Sequence, residues 1–326
     1  MLQRLVVSAC LVSCFVGPTA ARAASTAADV YPSRAIKLIV TYPPGGGNDL
    51  IARLLSQRMS ESLGQPVVVE NHAGAGGTIG TARAAKSAPD GYTIVLVSTP
   101  FAMAPAFYPK LPYDTFNDLA PITLIGTSQN VLVVHPSLPV KSVAELIAYA
   151  KAHPTKVNAG TLGGATTQHL AAGLFNQLAK TNVLLVPYKG SAPAMNDLIS
   201  GQVQMMFNAM PSTMPYVKAG RLRALAVTGR ERSSQAAELP TMAETLRDYE
   251  ILTWWGMLAP AGTPQPILER LYRQILEALQ DSAVKAKLTE MGVDVKAGGP
   301  AAFAALTRSE VAKWSEVIRV VGVTPE

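Results

Sequence analysis

The sequence predicts an α/β protein of two lobes joined by two crossing segments. Three observations predict it. Short aliphatic, β-branched runs such as 35–41 (Ala-Ile-Lys-Leu-Ile-Val-Thr) alternate with stretches at helical spacing, the pattern of buried parallel strands and their crossover helices. Loops rich in Gly, Ser and Thr stand again and again between a strand and the helix after it. Two extended passages, 121–135 and 252–259, divide these repeats into two sets. At 326 residues the chain has material for two cores.

In the first unit, strand 35–41 leads into Tyr42-Pro43-Pro44-Gly45-Gly46-Gly47-Asn48-Asp49. Leu50, Ile51, Leu54 and Leu55 then recur at helical spacing, with Asn48 or Asp49 as the expected N-cap. The glycines let the backbone approach a ligand and leave first-turn N–H groups unpaired, which makes an anion site. A P-loop would need a Gly-Lys-Ser/Thr ending, and here the glycines run into Asn-Asp-Leu.

This helix runs to Leu63 and stops at Gly64. Strand 66–70 leads into a second Gly-rich turn, 71–77, followed by a helix from Thr78 to Lys86 and a stop at Pro89-Asp90-Gly91. That turn is not a dinucleotide fingerprint: its third glycine position holds Ile79, and no acidic residue ends the following strand at the required distance. Strand 92–98 closes on Ser98 and Thr99. Residues 101–119 read as an irregular, proline-rich loop over the first lobe, and 121–135 as the first crossing.

The second lobe repeats the rhythm. Ser142 caps a helix to Lys151, strand 156–160 leads into loop 161–167 (Thr-Leu-Gly-Gly-Ala-Thr-Thr), and a helix spans 168–179. Strand 182–187, helix 193–200, strand 203–207 ending at Asn208, a short helix 214–218 and strand 222–228 complete it. The return strand 252–259 carries Trp254 and Trp255. Amphipathic helices at 266–279, 282–291 and 300–321 are expected to pack on the first lobe. Ligands of open parallel sheets sit beyond the strand carboxyl ends, so the loops of both lobes should line one cleft of backbone N–H groups and hydroxyls. Such donors suit a carboxylate and leave no catalyst.

The N-terminus reads as an export signal over 1–23. Arg4 gives a positive start, Leu5 to Val16 is an apolar run too short for a bilayer, and Ala21-Arg22-Ala23 fits a cleavage site. A lipoprotein box at Leu11–Cys14 is the weaker reading, because the apolar run continues past it. Both cysteines, Cys10 and Cys14, fall in this segment. The mature chain then has no disulfide, thiolate nucleophile or cysteine metal site. Its charge falls from +6 to about +4 as Arg4 and Arg22 leave, 26 basic against 22 acidic residues. The charge is dispersed, where nucleic acid would need a clustered stripe. No later apolar run is long enough to span a membrane, so the product is expected outside the cytoplasm.

The four histidines, His72, His135, His153 and His169, form no cluster with acids. There is no His-Glu-x-x-His run and no Gly-x-Ser-x-Gly elbow. No catalytic residue, metal or cofactor is expected. Asp49 is the one acid in a cleft loop, placed either to cap its helix or to meet a ligand amine or hydroxyl.

Several strings resemble the Bug-type receptors of tripartite tricarboxylate transporters. They are Tyr42-Pro43-Pro44-Gly45-Gly46 with Asp49, Ala52 and Arg53; Val69-Glu70-Asn71 to Gly74-Ala75-Gly76-Gly77; and Pro89-Asp90-Gly91-Tyr92. Thr161, Thr166 and Thr167 before His169-Leu170, Pro187-Tyr188-Lys189-Gly190, and Leu258-Ala259-Pro260-Ala261-Gly262-Thr263-Pro264 continue the resemblance over the mature chain. It implies a periplasmic, two-lobed type II Venus-flytrap binding protein with two crossover strands, 32–126 plus 247–326 forming one lobe and 127–246 the other. It further implies a small carboxylate ligand, membrane transporter subunits as partners, and a monomer. The ligand residues it implies are Tyr42, Gly46, Gly47, Asn48, Asp49, Ala75, Gly76, Ser98, Thr99, Thr161, Ala165, Thr166, Thr167 and Asn208. Two positions depart from the family's pattern: Ala165 stands where Gly is common, and Asn208 where Asp is common, which favours a ligand without a cationic amine. A sensor kinase as the membrane partner is the alternative reading. An enzyme on a similar fold that anchors its cofactor on cysteine is opposed by the cysteine-free mature chain.

Overall fold

The computed structural model describes residues 31–321 apart from 109, 164 and 165. The expected export signal and Ala165 lie outside these described residues. Three strands, β1 (Ile36–Val40), β2 (Val67–Asn71) and β3 (Thr93–Ser98), pair in parallel with β1 in the middle. Their runs are aliphatic because β1 and β3 are buried on both faces. The crossovers between them are α1 (Gly47–Leu63), ended by Gly64 in the left-handed conformation at φ 65°, and α2 (Thr78–Ala85).

A single long strand, β4 (Leu119–Val134), organises the rest. Its first part, Leu119 to Gln129, pairs antiparallel with β9 (Leu252–Pro260), which on its other side pairs with β3. From Asn130 onward β4 pairs instead with β7 (Met205–Ala209) and β8 (Arg223–Val227). One strand therefore serves two half-sheets. In the second half, β5 (Asn158–Thr161) lies parallel to β6 (Leu184–Pro187) and β7. Helices α4 (Val143–Ala152), α5 (Thr167–Ala179), α6 (Ser191–Ile199) and α7 (Met210–Lys218) connect these strands.

The chain closes with α8 (Gln265–Gln280), α9 (Ser282–Glu290) and α10 (Pro300–Val321). Helix α10 packs on β4 and also on α5 of the second half, so it covers more than the first lobe's sheet. Its Phe303 and Trp314 are fully buried, and Phe303 meets Trp254 edge-on at 5.6 Å. The Phe303 ring lies against Gly256 of β9, where an added Cβ would stand 2.1 Å away; only glycine permits this approach. Glu310, also buried, accepts hydrogen bonds from the indoles of Trp254 (3.1 Å) and Trp314 (2.8 Å) and pairs with Lys313. These bonds satisfy a carboxylate that burial alone would make costly.

The structure departs from the sequence reading in three places. Residues 100–107 form a helix, α3 (Pro100–Phe107), where the proline content predicts an irregular loop. Pro100 at its first turn suits helix initiation, and the burial of Phe101, Met103 and Phe107 outweighs the hydrogen bond that Pro105 forfeits. A short strand, β10 (Asp294–Gly298), pairs with β4 at Thr127 and Gly126, although its sequence carries no alternation to announce it. The N-cap of α1 is Gly46, not Asn48 or Asp49, which stand inside the first turn.

Candidate ligand-binding cleft

A cavity of about 1050 Å³ opens where the loops after β1 and β3, the first turns of α1, α3 and α5, and the start of β9 converge. Tyr42 to Asn48, Gly76 and Ser98 line one side. Thr166, Thr167, Gln168 and Leu162 line another, with Thr253 of β9 between. Pro100, Met103, Ala104 and Phe107, spaced i, i+3, i+4 and i+7 on α3, give the cavity an apolar wall that Tyr108 extends.

The first turn of α1 is shaped by bonds beneath it. Gly46 makes no side-chain cap, so the first-turn N–H groups are not spent on one. The Asp49 carboxylate turns away from the cavity and accepts from the Gly45 N–H (2.9 Å), Arg53 Nε (2.9 Å) and Asn71 Nδ2 (2.9 Å). Asn71 also donates to the Tyr42 carbonyl at 3.0 Å. The Arg53 bond, helped by the Gly45 and Asn71 donors and opposed by burial, lowers the Asp49 carboxyl to about 2. Asn48 bridges three elements: its Oδ1 accepts from Trp255 Nε1 at 2.6 Å and its Nδ2 donates to Ser98 Oγ at 3.2 Å.

Tyr42 is a neutral donor in this setting. Burial pushes its phenol up to about 12, and the hydroxyl donates to the Gly76 carbonyl at 3.2 Å. Gly76 has φ 62°, and a Cβ there would approach the Tyr108 hydroxyl at 3.2 Å, so a side chain at this point would be strained and crowded.

The first turn of α5 is capped locally. Thr166 Oγ1 accepts from the His169 N–H (3.2 Å) and donates to the Gly163 carbonyl (2.9 Å). Thr167 Oγ1 lies 3.4 Å from Thr253 Oγ1, linking α5 to β9. His169 stands behind this turn with Nδ1 3.1 Å from Thr161 Oγ1, and burial holds its imidazole below the usual range.

Eight of the residues implied by sequence therefore line the cavity: Tyr42, Gly46, Gly47, Asn48, Gly76, Ser98, Thr166 and Thr167. Asp49, Ala75, Thr99, Thr161 and Asn208 do not. Ala75 sits in a 3-10 turn at φ 46°. Thr99 Oγ1 accepts from the Trp254 N–H (2.9 Å) and donates to the Leu252 carbonyl (3.3 Å), tying β3 to β9. The Asn208 amide is buried, accepting from Ser191 Oγ (3.1 Å) and donating to Thr213 Oγ1 (3.0 Å) and Ser212 Oγ (3.3 Å). The α3 wall, Leu162, Gln168 and Thr253 are absent from the sequence reading of the site. The helical spacing of 100, 103, 104 and 107 was the available signal for the wall.

Among the described residues, no Asp, Glu, Lys, Arg or His lines the cavity, and no group of three His, Cys, Asp or Glu is arranged to hold a metal ion. What the cavity offers is the N-termini of α1 and α5, each with its partial positive charge, and neutral hydroxyl and amide donors.

Two half-sheets sharing a strand, with an uncharged cavity at facing helix N-termini, describe a two-lobed solute-binding receptor. The comparisons with known proteins agree. Residues 51–323 match the tripartite tricarboxylate transporter family receptor, TctC. The chain is 41% identical over 292 residues to the UPF0065 protein in the tcbD-tcbE intergenic region of Pseudomonas sp. (strain P51), covering 89% of this chain and 87% of that one. It is 39% identical over 307 residues to protein BugT of Bordetella pertussis, covering 93% and 94%. Among solved structures, R. palustris Rpa4515 with adipate shares 34% identity at a TM-score of 0.75, covering 91% of this chain and all of that one. The periplasmic binding protein BugD shares 34% at 0.73 with the same coverage, and MatC of Rhodopseudomonas palustris with bound malate shares 31% at 0.71, covering 88% and 100%. The chain belongs to the Bug-type tripartite tricarboxylate transporter receptors, a family of solute-binding receptors and not of enzymes.

Proposed function

We propose that this protein is a periplasmic receptor that captures a small carboxylate between its lobes and delivers it to the membrane subunits of a tripartite tricarboxylate-type transporter. The observation that carries the reading is the convergence of the α1 and α5 first turns on one cavity lined, among the described residues, by no charged side chain. Backbone N–H groups at helix N-termini stabilise an anion while selecting little else about it. The relatives with adipate and malate support a carboxylate as that anion. Residues 1–23 act as the export signal, and the receptor works as a monomer.

Residues 32–126 plus 247–326 form one lobe and 127–246 the other, a division supported by the change of β4's partners between Gln129 and Asn130. Tyr42, the Gly46 to Asn48 turn, Gly76, Ser98, Thr166 and Thr167 contact the ligand. Asp49, Thr99, Thr161 and Asn208 hold the loops that do so. A thermal-shift series of carboxylates against their matched amides tests the reading. An acid at about 100 times its dissociation constant is expected to stabilise the fold by about 2.7 kcal/mol, and its amide not at all. Equal shifts from acids and amides would end the anion argument.

A further inference from the structure

We infer that the ligand is a carboxylate with an apolar body, a hydrocarbon chain or an aromatic ring, and that the α3 wall selects it over hydroxylated, amino-bearing or polycarboxylic acids. The inference rests on the carboxylate reading above and adds the chemistry of the rest of the molecule. The cavity is two-sided. Its donors lie at the first turns of α1 and α5, whereas α3 presents Pro100, Met103, Ala104 and Phe107 along a single helix stripe, and Leu162 adds a further apolar lining residue.

A carboxylate held at the donor side extends toward that stripe. A hydrocarbon body there removes apolar surface from water on both partners, worth up to roughly fourfold in affinity per buried methylene. A hydroxyl or second carboxylate in the same place gives up its water and meets no donor from Pro100, Met103, Ala104 or Phe107. A cationic amine finds no counter-charge on either side. The acid of the α1 loop, Asp49, is 2% exposed and already holds Gly45, Arg53 and Asn71, and Asn208 is buried among Ser191, Ser212 and Thr213.

Titration calorimetry of the full chain with hexanoate, benzoate, adipate, malate, citrate and glutamate tests this. Hexanoate or benzoate is expected to bind at least tenfold more tightly than adipate, malate, citrate and glutamate. Leu162→Asn, a half-buried position outside the α3 core, is expected to reduce that preference by a few-fold with an unchanged melting temperature. Phe107→Leu, which keeps the wall apolar, is expected to retain it. Tighter binding of adipate, citrate, malate or glutamate overturns the apolar-body inference and leaves the carboxylate receptor standing. Binding of none of the acids removes both.

Discussion

The first turns of α1 and α5 face the same cavity but are held in place differently. At α5 the cap is local: Thr166 caps the helix with its own hydroxyl, whose two bonds lie within three residues. At α1 the cap is a glycine with no side chain. Its loop is fixed by Asp49 from inside the helix, by Asn71 at the end of the neighbouring strand, and by Trp255, 207 residues along the chain. The difference has a physical use. A side-chain cap consumes a first-turn donor, whereas a loop pinned from below leaves those donors to a ligand. The first turn of α1 is thus the stronger anion site and the more dependent on tertiary structure.

Removing the inner pin should break this asymmetry most. Asp49→Ala leaves the Gly45 N–H without its acceptor and the Asn71 amide with only the Tyr42 carbonyl, and is expected to cost about 2 kcal/mol in urea unfolding and more than tenfold in ligand affinity by calorimetry. The Asp49 carboxyl is also a pH handle. Its folded value of about 2 lies below the unfolded value near 3.8, so its contribution is fully present above about pH 4 and is lost as pH falls toward 2. Asp49→Asn should flatten that part of the stability profile.

The local cap is worth less. Thr166→Ala is expected to lower stability by about 1 kcal/mol, read as a shift in the urea midpoint, with the α1 turn intact. Trp255→Phe probes the long-range pin alone. It removes the indole donor to Asn48 at a residue that stays buried, and is expected to lower stability by about 1 kcal/mol, the value of one hydrogen bond, and to weaken ligand binding by a few-fold. If Thr166→Ala weakened binding more than Asp49→Ala, the ranking of the two helix N-termini would be reversed.

The legibility of the molecule follows the same division. Strands and helices set by periodicity and local caps, such as β1, α1 with its Gly64 stop, and α4 with its Ser142 cap, stand where the sequence predicts them. Helix α3 was hidden by Pro105, whose helix-breaking tendency is the stronger local signal until burial of the neighbouring side chains is counted. In the site, Thr99 and Asn208 were expected to face the ligand because they lie at strand ends. A strand end offers two opposite directions, and which one meets the cavity depends on the strand beside it. Thr99 turned to β9 and Asn208 to α7.

By itself the sequence determined the α/β class and the Gly, Ser and Thr loops at helix N-termini, because periodicity, glycine tolerance and helix capping act over a few residues. Tertiary structure alone decided that Asp49 supports its loop from below, that Asn48 is clasped by Trp255, and that α3 supplies an apolar wall. Each of those depends on groups brought together from distant parts of the chain, where packing and the satisfaction of buried polar atoms outweigh local preference.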